Sequence, residues 1–202
     1  MKRRASTPRS VLLILALLGC AAAMACGGGG GGGGGTLPPG ISATFTATTP
    51  SPSGTAITMQ PGTSSGADFS VQIRVDSINN FFGAGFRVTY NPANVSFMDF
   101  SVANSFISGT GVTTQFLATP LSAGTLAVTA TRQGANEVGV DSGTQALLIT
   151  LNFRATSAAG ANAFAFGSAA TREVVSCATA GQACTTVSDA SIAWSGGTLV
   201  AN

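Results

Sequence analysis

The sequence predicts an all-β protein, an antiparallel β-sandwich, and three observations favour this class. Apolar and polar residues alternate with a period of two in many short segments, as in half-buried strands. No apolar repeat of 3.6 residues persists over the length of a helix. Turns rich in Gly, Asn, Pro and Ser separate the alternating segments. Strands joined in this way, without helices between them, form antiparallel sheets that pack face to face.

Residues 1–25 are predicted to be a lipoprotein signal peptide. Four basic residues, Lys2, Arg3, Arg4 and Arg9, precede an apolar run over residues 11–18. Because this run is too short to span a bilayer, it indicates a signal peptide and not a membrane anchor.

Two cysteines are alternative candidates for the lipidation site. The segment LLGC, which ends at Cys20, resembles the lipobox of bacterial lipoproteins, in which the cysteine is acylated after cleavage. The segment AMAC, which ends at Cys26, is the alternative, since the nine glycines of residues 27–35 follow it directly. Cleavage near Ala25 without a lipid, as in an ordinary secreted protein, is a third interpretation. We expect a lipoprotein of the bacterial cell envelope, on the outer membrane or the cell surface.

Residues 26–40 are predicted to be a flexible tether, because polyglycine has no side chains to bury and loses maximal backbone entropy on ordering. Such a coil would reach roughly 20 Å beyond the lipid. Residues 41–202 then form one folded domain, which is long enough for a substantial core.

The charge of the folded part excludes several functions. Beyond the signal peptide there are five arginines, seven acidic residues, no lysine and no histidine, so the net charge of +2 comes from the leader. A binding surface for nucleic acid or anionic membranes is therefore not expected. Nucleophile–base pairs that need His or Lys are excluded as well.

Two pairs of carboxylates are close in sequence, Glu137 with Asp141 and Glu173 with Asp189, and could serve a glycosidase. The first pair lies in GANEVGVDSG, which has the composition of a solvated loop. We therefore expect no enzyme. A calcium ion held by Asn136, Glu137 and Asp141 is a further alternative to an ordinary polar turn.

The alternating segments define the predicted strands. In chain order they are ISATFTAT, DFSVQIRVD, GAGFRVTY, TLAVTATR, ALLITLNFRA, NAFAFG and SIAWSGGTLVA. The second places Phe69, Val71, Ile73 and Val75 inward, with Ser70, Gln72, Arg74 and Asp76 outward. The fifth places Leu147, Ile149, Leu151 and Phe153 on its core face. Tyr90 and Trp194 are expected to join the core.

Cys177 and Cys184 remain after the leader is removed, in a compartment that permits disulfides. A bridge across so short a loop would stabilise the fold by roughly 2.5 kcal/mol. A zinc site is disfavoured because two sulfurs and no histidine leave the metal short of ligands. We predict a structural disulfide.

The stretch GADFSVQIRVDSINNFFGAGFRVTYNPANVSFMDF resembles the N-terminal part of cohesin domains, in which a strand closes in Tyr-Asp-Pro; here the triplet is Tyr90-Asn91-Pro92. The likeness continues in order through SGTQALLITLNFRATSAAGANAFAFG and SIAWSGGTLVAN. It covers roughly residues 66–200. Pro92 ends the strand, and Asn91 can bond nearby backbone groups in the turn.

The resemblance implies an antiparallel jelly-roll β-sandwich of about nine strands that binds a protein partner. Cohesins bind dockerins, small calcium-loaded helical modules of other proteins, through one flat sheet face. The implied partner is a dockerin-bearing protein linked to polysaccharide breakdown. Calcium, if involved, belongs to that partner, and the chain itself needs no cofactor.

The chain departs from the family at the implied contact face. Where many cohesins carry polar Asn and Asp residues of the dockerin contact, this sequence has Gly83 and Gly85. We expect Arg87 and Thr89 to supply contacts instead, with further ones from residues 125–131.

The alternative function is a carbohydrate-binding module tethered to the cell surface, and a surface lipoprotein without a specific ligand is a third. Exposed aromatics on one sheet would favour sugar, whereas a flat face of small and aliphatic residues would favour a protein partner. One Trp and one Tyr make a poor sugar-binding platform.

Overall fold

The computed structural model describes residues 40–134 and 137–202. The chain divides into Met1–Thr36 and a compact unit, Leu37–Asn202, which holds the whole of the described core. The predicted signal peptide, Cys20, Cys26 and the tether as far as residue 39 lie outside the described residues. No helix within the described ranges has the length and apolar character that a membrane span requires.

Thirteen strands occur in the described part of the chain, where about nine were expected. They are β1 Ala43–Ala47, β2 Ala56–Ser65, β3 Asp68–Asp76, β4 Phe81–Thr89, β5 Val95–Ser101, β6 Thr113–Ser122, β7 Thr125–Gln133, β8 Ala146–Ala155, β9 Gly160–Phe166, β10 Glu173–Ser176, β11 Thr185–Val187, β12 Ala193–Ser195 and β13 Gly197–Ala201. The additional strands include β10, β11 and β12, which are three or four residues long. There are two single-turn 3₁₀ helices: Ala169–Thr171 precedes β10, and Asp189–Ser191 precedes β12.

The strands form two sheets packed as a sandwich, so the predicted fold class is confirmed. The larger sheet has eight strands around β4, which pairs with β7 on one side and with both β10 and β9 on the other; β6 lies beyond β7. The smaller sheet has the order β12-β2-β3-β8-β5. The strand pairs given for the described residues are antiparallel except β12 and β2, which run parallel.

Aromatic rings join the two sheets at the centre of the core. The Phe164 ring lies 5.1 Å from Phe153 and 5.5 Å from Phe45, in both cases edge to face. Tyr90 stacks on Phe164 at 5.8 Å, as expected for a core residue. Burial raises the pKa of Tyr90, and a hydrogen bond with the backbone of Phe97 partly opposes this.

Trp194 also packs against the core, as the alternation predicted. Its ring centroid lies 4.9 Å from that of Phe166 and 5.9 Å from that of Phe86. The guanidinium of Arg172 lies 5.0 Å from the centroid of the indole ring, within the range of a cation–π interaction. These contacts close the core beside β12.

A register shift between β3 and β8 changes the prediction for one strand. Ile73 pairs with Ile149, but Arg74 pairs with Leu147, so Leu148 is an extra residue in β8. Both Leu148 and Ile149 are buried, whereas Leu147 is only half-buried. The bulge breaks the period of two, because two residues of one strand oppose one residue of the other.

Two outward positions of β3 are more buried than the alternation suggests. Ser70 and Asp76 point away from the core but are only 4% and 2% exposed. The Ser70 hydroxyl accepts a hydrogen bond from the Thr63 amide at 2.8 Å. The Asp76 carboxylate accepts bonds from the Gln145 amide at 2.7 Å and its side chain at 3.0 Å. Neighbouring segments therefore cover part of this outer surface.

Local predictions at the turns hold. Asn91 Oδ1 accepts a hydrogen bond from the Ala93 amide at 3.1 Å, so the side chain orders the turn after β4. Cys177 and Cys184 form the predicted disulfide, which closes the β10–β11 hairpin. Cys177 is buried, and its backbone bonds to Asn80 and Gly139. The disulfide thus fixes the short strands β10 and β11 beside β4.

Candidate binding face

The candidate site is the solvent side of β4, β6, β7 and β10, here called the open face. The strand register sets its side chains in rows. One row runs from Glu173 of β10 through Gly85 and Thr129 to Leu117 of β6. The next row consists of Val175, Gly83, Thr131 and Gln115. Residues on this face are small or aliphatic for the most part, so the surface is flat.

A shallow groove of about 370 Å³ crosses the open face over β4. It exists because glycines stand where side chains would otherwise project. Its lining consists of Phe82, Gly83, Ala84, Gly85, Thr129, Thr131, Glu173 and Val175. A bulge in the β4–β10 pairing places Ser176 opposite Phe81 instead of Phe82, which turns Phe82 toward the groove. The groove therefore has a glycine floor and an aromatic end.

The two floor glycines differ in the space around them. A Cβ added at Gly83 would lie 2.7 Å from the side chain of Thr131 and 2.9 Å from the carbonyl oxygen of Ala130. A Cβ added at Gly85 would meet only the Thr129 hydroxyl, at 4.0 Å. Gly83 is thus required by the close approach of β7, whereas Gly85 leaves open space for an incoming group.

The predicted contact residues Arg87 and Thr89 both lie on the open-face side of β4, opposite Ala127 and Thr125 of β7. Arg87 is exposed. Thr89 is half-buried, and its hydroxyl donates to the carbonyl of Ala165 at 3.2 Å. Their role in partner contact stays a prediction, and Arg87 has the freer polar group of the two.

Glu173 is the charged residue among those that line the groove. The sequence suggested it only as a partner of Asp189 in a carboxylate pair. Glu173 is exposed and accepts a hydrogen bond from the Thr186 hydroxyl at 3.3 Å. The ion pairs within residues 40–134 and 137–202 are Arg132–Glu137, Arg154–Asp68 and Arg172–Asp189. Glu173 takes part in none of them. Its position beside Gly85 follows from the β4–β10 pairing, which the sequence did not reveal.

The side chains of the open face fit the criterion stated for a protein partner. Leu117 of β6 is a large exposed apolar residue of this face, at 47% exposure, and Leu121, at 54%, lies at the bulge near the end of the same strand. Phe82 is the one aromatic side chain that lines the groove. Phe116 of β6 packs against the core instead. A flat face of glycines and threonines with a few aliphatic side chains lacks the row of exposed rings on which sugars stack.

The other carboxylates singled out in the sequence are tied to structural contacts. Glu137 accepts from Arg132 at 3.2 Å, and Asp141 accepts from the Asn80 amide at 2.8 Å. Asp189 pairs with Arg172 at 2.8 Å. Asn136 lies outside the described residues, and within them no group of three or more His, Cys, Asp or Glu side chains could hold a metal.

The outer face of the smaller sheet is chemically different. A groove of about 280 Å³ lies there, between the end of β2 and β5. Arg154 forms a two-point contact with Asp68, at 2.6 and 2.9 Å, and Asn152 donates to Asp99 at 2.6 Å. The hydrogen bond and charge of Arg154 lower the pKa of Asp68. These polar groups bind one another.

The structure thus defines a β-sandwich module with one flat, open sheet face. No family model and no curated protein matches the chain. Solved structures similar to it are cohesin modules, the family that the sequence resembles. The sixth cohesin of scaffoldin B from Acetivibrio cellulolyticus, solved in complex with a Cel5 dockerin mutant, is 18% identical over 66% of this chain and 96% of its own, with a TM-score of 0.48.

Two further similar structures are a cohesin module of a glycoside hydrolase and a cohesin from an archaeon. The cohesin module of a family 33 glycoside hydrolase from Clostridium perfringens is 10% identical, covers 76% of this chain and 98% of its own, and has a TM-score of 0.43. A non-cellulosomal cohesin from the archaeon Archaeoglobus fulgidus is 13% identical over 66% of this chain and 78% of its own, with a TM-score of 0.39.

Proposed function

We propose that Leu37–Asn202 is a cohesin-like binding module that holds a protein partner on its open face. The partner we propose is a calcium-loaded dockerin carried by a protein of polysaccharide breakdown. The module itself performs no catalysis. Cys20, or Cys26 in its place, carries a lipid that anchors the module to the cell envelope, and the glycine tether lets it reach outward.

One observation carries this proposal: the flat face of β4, β6 and β7 has small residues at its centre and exposed aliphatic residues at its edge. Gly85, Thr129 and Ala127 give the centre little relief, while Leu117 and Leu121 remain exposed. Exposed apolar side chains on a flat surface are typical of sites that bind another protein. The ordered sequence resemblance to cohesin domains supports the same function.

The experiment that tests this function is a pull-down with immobilised Leu37–Asn202 from a lysate of the native organism, in calcium or in a chelator. Retained proteins are identified by mass spectrometry. We expect a protein with duplicated calcium loops that is retained only with calcium. If no calcium-dependent protein is retained, the dockerin function is wrong, and retention of polysaccharide in its place would favour the carbohydrate-binding alternative.

Arg87→Glu locates the interface on the module. Reversing this exposed charge on the open face should weaken binding of the captured partner about tenfold, because like charges then face each other across the contact. Arg154→Gln, on the outer face of the other sheet, is the control and should leave the Kd unchanged. Unchanged binding by Arg87→Glu would remove Arg87 from the interface.

A further inference from the structure

We propose that the groove over Gly83 and Gly85 receives a lysine or arginine side chain of the partner, whose charged head pairs with Glu173. This inference rests on the proposed function, since it names the chemistry of the partner group that enters the open face. It also explains how a face without the polar residues expected at Gly83 and Gly85 can select a partner.

The shape of the groove suits a long, unbranched side chain. Gly83 and Gly85 are two residues apart on one strand, so the floor extends about 7 Å between them. No Cβ rises from either glycine, although the Thr131 side chain lies close to Gly83, and Val175 and Phe82 supply apolar walls. Lysine and arginine have flexible aliphatic stems that lie along apolar surface while the charged head stays at its edge.

The charge of the groove selects a cation. Glu173 lies opposite Gly85 and is the only ionisable residue among those that line the groove. Its described contact is a single hydrogen bond, from the neutral hydroxyl of Thr186. A carboxylate with free acceptor positions forms strong, charge-assisted hydrogen bonds with an ammonium or guanidinium group.

Neither Arg87 nor Arg172, which lines an adjoining groove together with Gly85 and Glu173, forms an ion pair with this carboxylate. Arg172 comes directly before Glu173, the first residue of β10. Its guanidinium donates a hydrogen bond to Asp189 at 2.8 Å and lies over the Trp194 ring. Arg87 is further along β4 and does not line the groove. The open face therefore presents a negative group at the groove and a positive one beyond it. A partner with a cation and an anion in the matching order would bind in a single orientation.

The groove is a subsite of a larger contact, so a free small molecule should bind there only weakly. It is shallow and continues into the flat row of Thr129 and Leu117. Sites for small ligands usually enclose most of the ligand surface. A side chain that projects from a folded partner needs no such enclosure, because the surrounding face supplies the rest of the contact.

A test that does not depend on the natural partner uses n-butylguanidinium as the probe and neutral n-butylurea as its matched control. Each is titrated into ¹⁵N-labelled Leu37–Asn202, and backbone amide shifts are followed up to tens of millimolar. We expect saturable shifts of the Gly83 and Gly85 amides with the cation alone. Equal shifts with butylurea, or no saturable shift with butylguanidinium, would overturn the cation site.

Two variants assign the shifts to the groove. Glu173→Gln keeps the shape and removes the charge, and Gly85→Leu fills the floor at a position where the added Cβ has space. Both should abolish the shifts, while Thr150→Leu on β8 should leave them intact. Shifts that persist in Glu173→Gln would show that its charge is not the recognition element.

The captured partner provides the second readout. Glu173→Gln should raise its Kd about tenfold and reduce the salt dependence of binding, and Gly85→Leu should abolish binding without lowering the Tm. A partner that binds equally well to both variants would disprove the groove and leave the proposed function standing. If no protein is captured but the cation shifts are seen, the groove has its cation site and the dockerin function is wrong.

Discussion

The outer faces of the two sheets differ in how they use their polar groups. On the smaller sheet, Asp68 binds Arg154, Asp99 binds Asn152, and Asp76 accepts two bonds from Gln145. On the open face, by contrast, Glu173 is unpaired with any described cation, and the surrounding residues are small.

This difference separates a face that contributes to stability from a face that is free to bind. Side chains that already bond to one another must break those bonds before they contact a partner, which reduces the net gain of binding. Bonds of this kind are fewer on the open face, where Thr89, Glu173 and Gln115 each make one. Substitutions on the smaller sheet should therefore affect folding, and substitutions on the open face should mainly affect binding.

The largest effect on the smaller sheet is expected from Asp76→Ala. This buried carboxylate accepts from both the amide and the side chain of Gln145, and its loss leaves these donors without a partner. The free energy of unfolding should fall by about 3 kcal/mol, measured by urea denaturation. Partner binding at the open face should be unchanged. A loss no larger than that of the exposed Asp68→Ala variant would contradict the structural role of this network.

Removal of the disulfide tests whether the bridge holds the β10–β11 hairpin in place at the edge of the open face. Replacing both Cys177 and Cys184 by Ala should lower the free energy of unfolding by about 2.5 kcal/mol, because the unfolded chain gains freedom. The bridge also fixes the β10–β11 hairpin that carries Glu173 and Val175. We therefore expect weaker partner binding by the folded variant at a temperature well below its Tm. Full affinity would mean that the hairpin holds its place without the bridge.

Gly83 and Gly85 of β4 allow the effects on stability of a closed and an open position to be compared within one strand. Gly83→Ala should destabilise the fold by about 2 kcal/mol, because the new methyl group meets Thr131 and the backbone of Ala130. Gly85→Ala should stabilise it by about 0.5 kcal/mol, since the site is open and alanine loses less entropy in a strand. Urea denaturation of the two variants measures both values. Equal changes would refute the difference in space between the two positions.

The smallest effect concerns the exposed pair Asp68–Arg154. The pKa of Asp68 is lowered in the folded protein from its ordinary value of 3.8, chiefly by the hydrogen bond from Arg154. The stabilisation is therefore fully present above that ordinary pKa and is lost as the pH falls through the lowered one. Titration of the carboxyl chemical shift by NMR should show the lowered pKa. In Arg154→Gln it should return toward 3.8, and a value that stays low would exclude Arg154 as the cause.

The sequence predicted those parts of the fold that follow from local patterns. The strand around Val71 and Ile73 and the strand around Val88 are regular, so the period of two identifies their core faces. The spacing of Cys177 and Cys184 similarly identified a loop that a disulfide can close. Such features need only neighbouring residues and the known geometry of strands.

Other features depend on partners that are distant in the sequence. The bulge at Leu148 and the one at Phe82 arise from pairing with another strand, and each shifts the alternation by one residue. Glu173 lies next to Gly85 only because β10 pairs with β4. The short strands β10–β12 are also below the length at which a period can be recognised. The groove and its charge could not be inferred without the fold.

The pairing of β1 with β13 bears on how the domain folds. Ala43 lies opposite Ala201, and β13 separates β1 from β9 in the larger sheet. Closing so long a loop is entropically expensive and slows folding. We expect the local hairpins β2–β3 and β6–β7 to form early, and β1 to join last. Until that step, β13 has an unpaired edge, which makes the nearly folded domain most prone to wrong strand pairing just before folding is complete.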